Sequence, residues 1–268
     1  MLRGGAAALA LLLLAGSSTA EQPSPAFRRS AASLARLRGG SIVTNVGAGI
    51  IAGTGALAWI SPSAAFEAVG MPNHDASALA FMRILGAYQL VLAAVTLASK
   101  KGPSHASAVG LFSTALAIVA NIAVYEYFER PKLGSVAYAV LFVGLGSLTL
   151  AGKVGPSVAA GFHLLLGTLI HLTPKQTVVL YELTKPVSAY GYSTLALSGG
   201  VILTTGAFLL ALARGLSQPQ SFAVASACNA LFLGKWLLLE AGALGAPILG
   251  APAALTLASA ALAAVALK

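Results

Sequence analysis

A run of 16 uncharged residues separates Arg83 from Lys100. The run is apolar or small apart from four scattered polar side chains. When it is extended back to Ala78, it reaches the ~20 residues that a helix needs to cross the hydrocarbon core of a bilayer. The rest of the chain repeats this plan, with apolar runs separated by short loops that contain proline or glycine. The pattern predicts an all-α protein that crosses a membrane several times.

Composition supports a membrane environment. Only 9% of the 268 residues are charged and 57% are hydrophobic, whereas roughly 25% of the residues of a soluble domain are charged. The net charge of +9 is spread between the apolar runs and forms no basic patch, so we expect topology signals and no nucleic-acid partner. The single cysteine, Cys228, excludes an intrachain disulfide and a multi-cysteine metal site.

Residues 1–40 have the composition of targeting segments. Arg3, an apolar run from Ala6 to Ala15 and small residues ending at Ala20 form the three regions of a secretory signal peptide. The stretch from Phe27 to Gly40 is rich in Arg, Ser and Ala and lacks acids, which is typical of a transit peptide. Together they resemble the bipartite plastid presequences of algae with secondary red plastids. An ordinary signal peptide with a basic flank is the alternative.

Eight apolar segments follow, each long enough to be a transmembrane helix. Their approximate bounds are Ile42–Ile60, Ala78–Ser99, His105–Tyr125, Leu133–Ala151, Pro156–Leu172, Val187–Ala213, Ser221–Leu239 and Pro247–Leu267.

The placement of charges agrees with eight crossings. If each loop is assigned to alternate sides, the side of the mature N-terminus receives nine cations and no acid, and the other side receives six of each. By the positive-inside rule, both termini then face the cytosol-like side, which in a plastid is the stroma. The acids on the other side are Glu67, Asp75, Glu126, Glu129, Glu182 and Glu240.

The eight segments also divide into two sets of four. Charges and helix breakers of the first set recur about 114 residues later. This predicts a duplicated membrane unit, residues 41–153 and 154–268, in which an even number of crossings gives both halves one orientation. The corresponding pairs are Glu67 and Glu182, Pro72 and Pro186, Gly86 and Gly200, Lys100 and Arg214, Glu126 and Glu240, and Lys153 and Lys268.

One half resembles a known kind of unit. A proline-containing loop, Ser61-Pro62-Ser63-Ala64-Ala65-Phe66-Glu67, precedes a helix that begins around Phe81-Met82-Arg83-Ile84-Leu85-Gly86-Ala87-Tyr88. From Ile42 to Lys153 the order of helices and loops is similar to that of the small four-helix DoxX-like membrane proteins. That group includes quinol-oxidase subunits and many proteins of unknown activity, so the resemblance implies a helical bundle more than any chemistry. The second half departs from it, since Leu197 stands where Arg83 maps.

Two histidines are weak candidates for binding a cofactor. His163 and His171 lie eight residues apart on one predicted helix, so they point about 80° apart. A b-type haem needs a second ligand from a facing helix, and the other two histidines lie in or beside loops. We expect both histidines to have packing roles. Ligation of haem or chlorophyll is the more specific alternative.

Three polar residues are weak candidates for binding a substrate, because polar groups inside membrane segments are costly and often functional. Arg83 either pairs with an acid or extends to lipid headgroups, or it binds an anionic substrate. Lys235 is expected to extend to the interface beside an interfacial anchor, Trp236, or to line a pore. Asn229 shares the segment of Lys235. Asn45 and Asn121 are expected to hydrogen-bond between helices.

Other features have structural interpretations. Gly49 and Gly53 predict close helix packing in the first segment. Tyr125 to Glu129, with Tyr181-Glu182, predict an aromatic-acidic rim. The sequence contains no nucleotide-binding loop, dinucleotide fingerprint or zinc-protease motif.

The sequence therefore predicts an integral membrane protein of eight transmembrane helices in two tandem four-helix bundles. We expect a non-enzymatic structural or accessory role in a thylakoid or envelope membrane of a plastid, with lipids and a membrane complex as partners and no cofactor or metal. The alternative location is the endoplasmic reticulum or another secretory-pathway membrane. The alternative functions are a small-molecule transporter with duplicated halves and a redox subunit that uses quinone or haem.

Overall fold

The structure, a computed structural model, describes residues 40–71, 74–121, 132–180, 183–242, 244 and 251–266. The predicted signal and transit-like segments fall outside these residues. So do Glu126, Glu129 and Glu182 of the predicted aromatic-acidic rim.

The described residues form helices and contain no strand. A 3₁₀ turn, Ser99–Lys101, follows the third helix, and a π-helical turn, Leu237–Ala241, follows the ninth. The helices are α1 Gly40–Ile60, α2 Pro62–Ala68, α3 Ala76–Ala98, α4 Pro103–Ala120, α5 Lys132–Leu150, α6 Pro156–Leu172, α7 Pro174–Leu180, α8 Ala189–Ala213, α9 Gln218–Trp236 and α10 Ala251–Ala266.

Several of these helices can cross a membrane. Within the described residues, α1, α3, α4, α8 and α9 are long and apolar enough to do so, and Ser135–Leu150 of α5 and α6 are shorter apolar helices. Large apolar side chains on the outer faces of α1 and α5 are exposed, as expected for helices that contact lipid. An all-helical fold with several candidate membrane-spanning helices is therefore confirmed, and the count of eight spans stays a prediction.

Local sequence explains where the long helices begin and end. Asp75 and Ser188 are the N-caps of α3 and α8, and each side chain accepts a hydrogen bond from a backbone N–H of the first turn. Ser217 forms a capping box with Gln220 at the start of α9. After α3 and α8 the chain turns at Gly102 and Gly215, which have φ values of 108° and 86°. Glycine adopts this left-handed conformation without the strain that a side chain would cause.

The centre of the protein is a parallel pair of helices, α3 and α8. Near their N-termini, Ser77 Oγ lies 3.2 Å from Ser188 Oγ. Farther along, side-chain atoms of Val95 and Leu209 lie 3.1 and 3.4 Å from the position that a methyl group would take on Gly110 of α4, so the two helices run in the same direction. They are also among the most deeply buried helices. α3 and α8 belong to different predicted halves, yet they pack against each other, and the described helices belong to one compact unit.

Two glycine crossings have the same geometry. A methyl group on Gly86 of α3 would lie 2.5 Å from both the carbonyl oxygen of Gly55 and the backbone nitrogen of Trp59 of α1. In the other half, a methyl group on Gly199 of α8 would collide with the same two backbone atoms of Gly167 and His171 of α6. Both crossings therefore need glycine, because the helix backbones touch.

The order of the first three elements is also the same in the two predicted halves. Each has a long helix (α1 or α6), a short helix that begins at a proline (α2 or α7), and a capped central helix (α3 or α8). The proline suits the first turn because the missing N–H has no partner there in any case.

The expectation that Gly49 and Gly53 pack against another helix is wrong. No described atom of another helix lies within 4 Å of the position that a methyl group would take on either residue. Both glycines lie on the exposed face of α1. The packing glycines of α1 are Gly55, which contacts α3, and Gly47, which contacts the Phe222 ring.

Candidate functional site

A cavity of about 170 Å³ lies between α1 and α3 of the first half and α8, α9 and α10 of the second. We call it the central cavity. It lies near the middle of these helices, so it is near mid-depth if they span a membrane. Most of its lining is apolar, and the residues that matter below are Gln89 of α3, Gly200 of α8, and Phe222, Ser226, Asn229 and Phe232 of α9.

Gln89, which lines the central cavity, carries a buried polar atom without a partner. Gln89 Oε1 is buried and makes no hydrogen bond, although a buried acceptor without a partner is costly. Asn229 is better satisfied, because its Nδ2 donates to Ser259 Oγ of α10 at 2.9 Å. The cavity therefore combines mostly apolar walls with a few polar side chains, one of which carries a buried acceptor without a partner, and this is the usual composition of a small-molecule site.

A second cavity, of about 570 Å³, lies at the end where α6 and α9 finish and α8 begins. We call it the polar pocket, because its lining includes His171, Lys175, Ser193, Lys235 and Glu240. It therefore contains two lysines and one carboxylate.

A hydrogen-bond network organises one wall of the polar pocket. Lys235 Nζ contacts Glu240 Oε1 at 3.1 Å, and Ser193 Oγ donates to Glu240 Oε2 at 2.8 Å. The indole Nε1 of Trp236 donates to the same Ser193 hydroxyl at 2.6 Å. Glu240 lies in the π-helical turn that follows α9, a type of local distortion that is frequent at functional sites.

The interfacial role expected for Trp236 is wrong. Its side chain is only 5% exposed, because its N–H is held inside the protein by Ser193. Lys235 is partly exposed and reaches its neighbour Glu240, so it forms an ion pair on the wall of the polar pocket.

His171 and Lys175, from α6 and α7, also line the polar pocket. His171 Nδ1 lies 2.8 Å from the carbonyl oxygen of Ala196. That oxygen can only accept, so Nδ1 carries the proton and Nε2 of the neutral ring is an acceptor. The Lys175 ammonium lies 5.8 Å from the centre of the Tyr192 ring, within the range of a cation–π contact.

His163 lies away from both cavities and is fully engaged in packing. Its Nε2 lies 3.0 Å from Thr114 Oγ1 of α4 and its Nδ1 lies 2.8 Å from the carbonyl oxygen of Ala159. The side chain is 2% exposed. Since both ring nitrogens have partners, neither can bind a haem iron without breaking a buried hydrogen bond.

Arg83 also lies outside both cavities. It is exposed on α3. The Asp75 carboxylate, one of its expected partners, instead accepts from Ser77 at 2.6 Å and from the backbone of Ala78 at 2.9 Å. An exposed arginine near the end of a membrane helix can reach lipid headgroups, as the sequence suggests.

The asparagines expected to link helices behave differently. Asn121 Nδ2 donates to the carbonyl oxygen of Ala117 in its own helix at 2.7 Å. The Oδ1 atoms of Asn121 and Asn45 are buried without a partner, so neither oxygen forms the predicted contact between helices.

The structure thus divides the five sequence candidates. It places His171 and Lys235 in the polar pocket and Asn229 in the central cavity, and it leaves His163 and Arg83 elsewhere. Sequence reasoning missed Gln89 as a site residue, although its amide within an otherwise apolar run was a usable signal.

The described residues contain no group of three or more His, Cys, Asp or Glu side chains that could hold a metal ion. Comparison of the chain with family models, with curated proteins and with solved structures gives no match.

Proposed function

We propose that this chain is an accessory protein of a plastid membrane that binds a small, mainly apolar molecule with an N–H or O–H donor in the central cavity. The observation that carries the proposal is the unpaired, buried Oε1 of Gln89, a residue that lines that cavity. A donor on the ligand would satisfy this atom, and the apolar body would fill the cavity. An apolar protein cavity of ~150 Å³ is large enough to bind benzene.

The proposed architecture is eight transmembrane helices in two duplicated halves. The matched glycine crossings and the matched order of long, short and central helices support the duplication. In this arrangement Gly86 corresponds to Gly199, one residue before the Gly200 that the sequence offset predicts. The parallel direction of α3 and α8 agrees with an even number of crossings in each half. The DoxX-like resemblance of the first half stays a prediction.

Indole and benzofuran test the ligand site. They have nearly the same shape, but only indole has an N–H that can donate to Gln89. Leaving a buried acceptor unpaired costs about 1–3 kcal/mol, so we expect indole to bind about tenfold more tightly than benzofuran. The measurement is the ligand-dependent rise in unfolding temperature of the protein in lipid nanodiscs, at matched free ligand concentrations.

Two leucine variants separate the Gln89 contact from general effects. Gln89→Leu should abolish the preference for indole. Asn45→Leu is the matched control, because it also removes a buried amide with an unpaired oxygen but lies outside the cavity lining, so the preference should remain. Equal stabilisation of the wild-type protein by both molecules would contradict the hydrogen bond. No stabilisation by either would contradict the ligand site.

Transport of a small molecule is the second candidate function. The position of the central cavity between the two halves, near mid-depth, favours it, since transporter sites commonly lie there. Proteoliposomes loaded with labelled indole test this idea. Protein-dependent exchange that is lost in Asn229→Leu would indicate transport. Binding without exchange would contradict transport and support the accessory role.

A plastid location is tested separately. The intact chain, fused at its C-terminus to a fluorescent protein, is expected in the plastid of an alga with a secondary plastid. Deletion of Phe27 to Arg38 should remove it from the plastid. Fluorescence in the endoplasmic reticulum with both versions would contradict the plastid proposal and favour a role in the secretory pathway.

A further inference from the structure

Phe232 separates the central cavity from the polar pocket. It lines the central cavity, and its ring centre lies 4.6 Å from that of His171, which lines the polar pocket. Three of its carbon atoms lie 3.3–3.4 Å from the position that a methyl group would take on Gly200. The aromatic side chain therefore fills the space between α6 and α8, and glycine at position 200 provides the room.

The two cavities follow one another along the same helices. On α8, Ala196 lines the polar pocket and the next residue, Leu197, lines the central cavity. On α9, Leu233 lines the central cavity and Lys235 lines the polar pocket. The cavities thus adjoin at the level of Phe232, within about one helical turn of each other.

We propose that the polar pocket is the entrance to the central cavity and that Phe232 closes the passage between them. This inference deepens the ligand-binding role proposed above and rests on it. The entrance lies at the end of the molecule that contains the N-termini of α3 and α8. Rotation of one aromatic side chain, without movement of a helix, would open the passage.

The chemistry of the polar pocket suits the ligand class inferred for the central cavity. The free energy of a molecule with an N–H or O–H donor rises if that donor is removed from water before it finds another acceptor. The polar pocket offers acceptors at His171 Nε2, at Glu240 and at Ser193, and the next acceptor is Gln89 inside. The donor can therefore exchange one partner for another as the apolar body passes Phe232.

Thiol accessibility tests the passage without requiring any ligand. Ser226 lines the central cavity, so a Ser226→Cys, Cys228→Ala protein carries one thiol there. A charged, membrane-impermeant methanethiosulfonate reagent is applied to sealed vesicles from one face at a time. We expect Phe232→Ala to raise the labelling rate at least about tenfold when the reagent is on the polar-pocket face, since labelling follows the population of the open passage. Phe232→Leu, which conserves packing better, should give a smaller increase.

Phe208→Ala is the control. Phe208 is also a buried phenylalanine, but it lies on α8 and lines neither cavity. This variant should leave labelling from the polar-pocket face unchanged. An unchanged rate in both Phe232 variants, or an equal increase in Phe208→Ala, would overturn the proposal. The unfolding temperature of each variant shows whether a rise in labelling reflects general unfolding instead, which would also count against it. If indole binds but the Phe232 variants do not change the labelling rate, the proposed entrance is contradicted, whereas the proposed ligand site in the central cavity is supported.

Discussion

Asp75 and Ser188, the N-cap residues of the two central helices, meet at one end of the parallel pair. Ser77 Oγ donates to Asp75 Oδ1 at 2.6 Å and lies 3.2 Å from Ser188 Oγ. The first turns of α3 and α8 are therefore joined by side chains that also cap them. This contact fixes the two helices at the same level, which in turn aligns the walls of the central cavity.

The Asp75 cap should make stability depend on pH. Burial opposes ionisation, but hydrogen bonds from Ser188, Ser77 and the Ala78 backbone outweigh it and hold the pKa of Asp75 below its ordinary value. The carboxylate therefore contributes its full stabilisation above the unfolded-state pKa of about 3.9. That contribution is lost as the pH falls through the lower folded-state pKa. Unfolding temperatures of detergent-solubilised protein between pH 7 and pH 3 measure the effect.

Two variants check the role of Asp75. Asp75→Asn keeps a good N-cap but does not titrate, so its unfolding temperature should vary less with pH at the acidic end than that of the wild type. Asp75→Ala removes the cap and should lower stability at pH 7 by about 1 kcal/mol. The same acidic pH dependence in Asp75→Asn and wild type would show that another group is responsible.

Replacement of the crossing glycines by alanine should destabilise the protein. A methyl group on Gly86 or Gly199 would meet backbone atoms that cannot move aside, so α3 or α8 must shift away from its neighbour. Overpacking of this kind typically costs about 1–3 kcal/mol. Gly49→Ala is the control, because open space surrounds Gly49 and alanine has the higher helix propensity. Reversible unfolding in mixed micelles measures all three variants, and a cost for Gly49→Ala as large as that for Gly86→Ala would contradict the packing argument.

The buried Trp236 should depend on Ser193. Ser193→Ala removes the acceptor of the indole N–H, and an unpaired buried donor costs about 1–3 kcal/mol. Since the chain has two tryptophans, a Trp59→Phe background isolates the emission of Trp236. We expect a shifted emission maximum and a lower unfolding temperature for Ser193→Ala. Lys235→Met should change both much less, because partly exposed ion pairs contribute about 0–1 kcal/mol.

The contact between His163 and Thr114 should stabilise the packing of α4 against α6. Thr114→Val keeps the shape of the side chain but removes the hydroxyl that lies 3.0 Å from His163 Nε2, so we expect a loss of stability of about 1–3 kcal/mol. Thr205→Val is the control, because its hydroxyl bonds only to the backbone of its own helix, and it should cost less. Addition of haem to the purified wild-type protein should give no shifted Soret band. A shifted band that disappears in His163→Leu would restore haem ligation.

Sequence reasoning succeeded for features that depend on one helix alone, such as its apolarity and its ends. The long uncharged run at α3 could only be a buried or membrane-spanning helix, and the prolines and glycines of the loops indicated the helix ends to within a few residues. It failed for contacts that depend on the direction in which a residue points in the folded protein. Gly49 and Gly53 have the spacing of a packing motif, yet they lie on the exposed face of α1. Trp236 looks like an interfacial anchor, yet Ser193 holds it inside.

The sequence by itself determined that this protein is helical and has segments long and apolar enough to cross a membrane, because length and apolarity are properties of a single chain segment. Only the tertiary structure decided that Gln89 faces a cavity, that His171 and Lys235 share a pocket, and that Phe232 lies between the two. Those relationships depend on how helices distant in sequence cross. The crossings are set by glycines such as Gly86 and Gly199, whose contacts cannot be recognised until the partner helix is known.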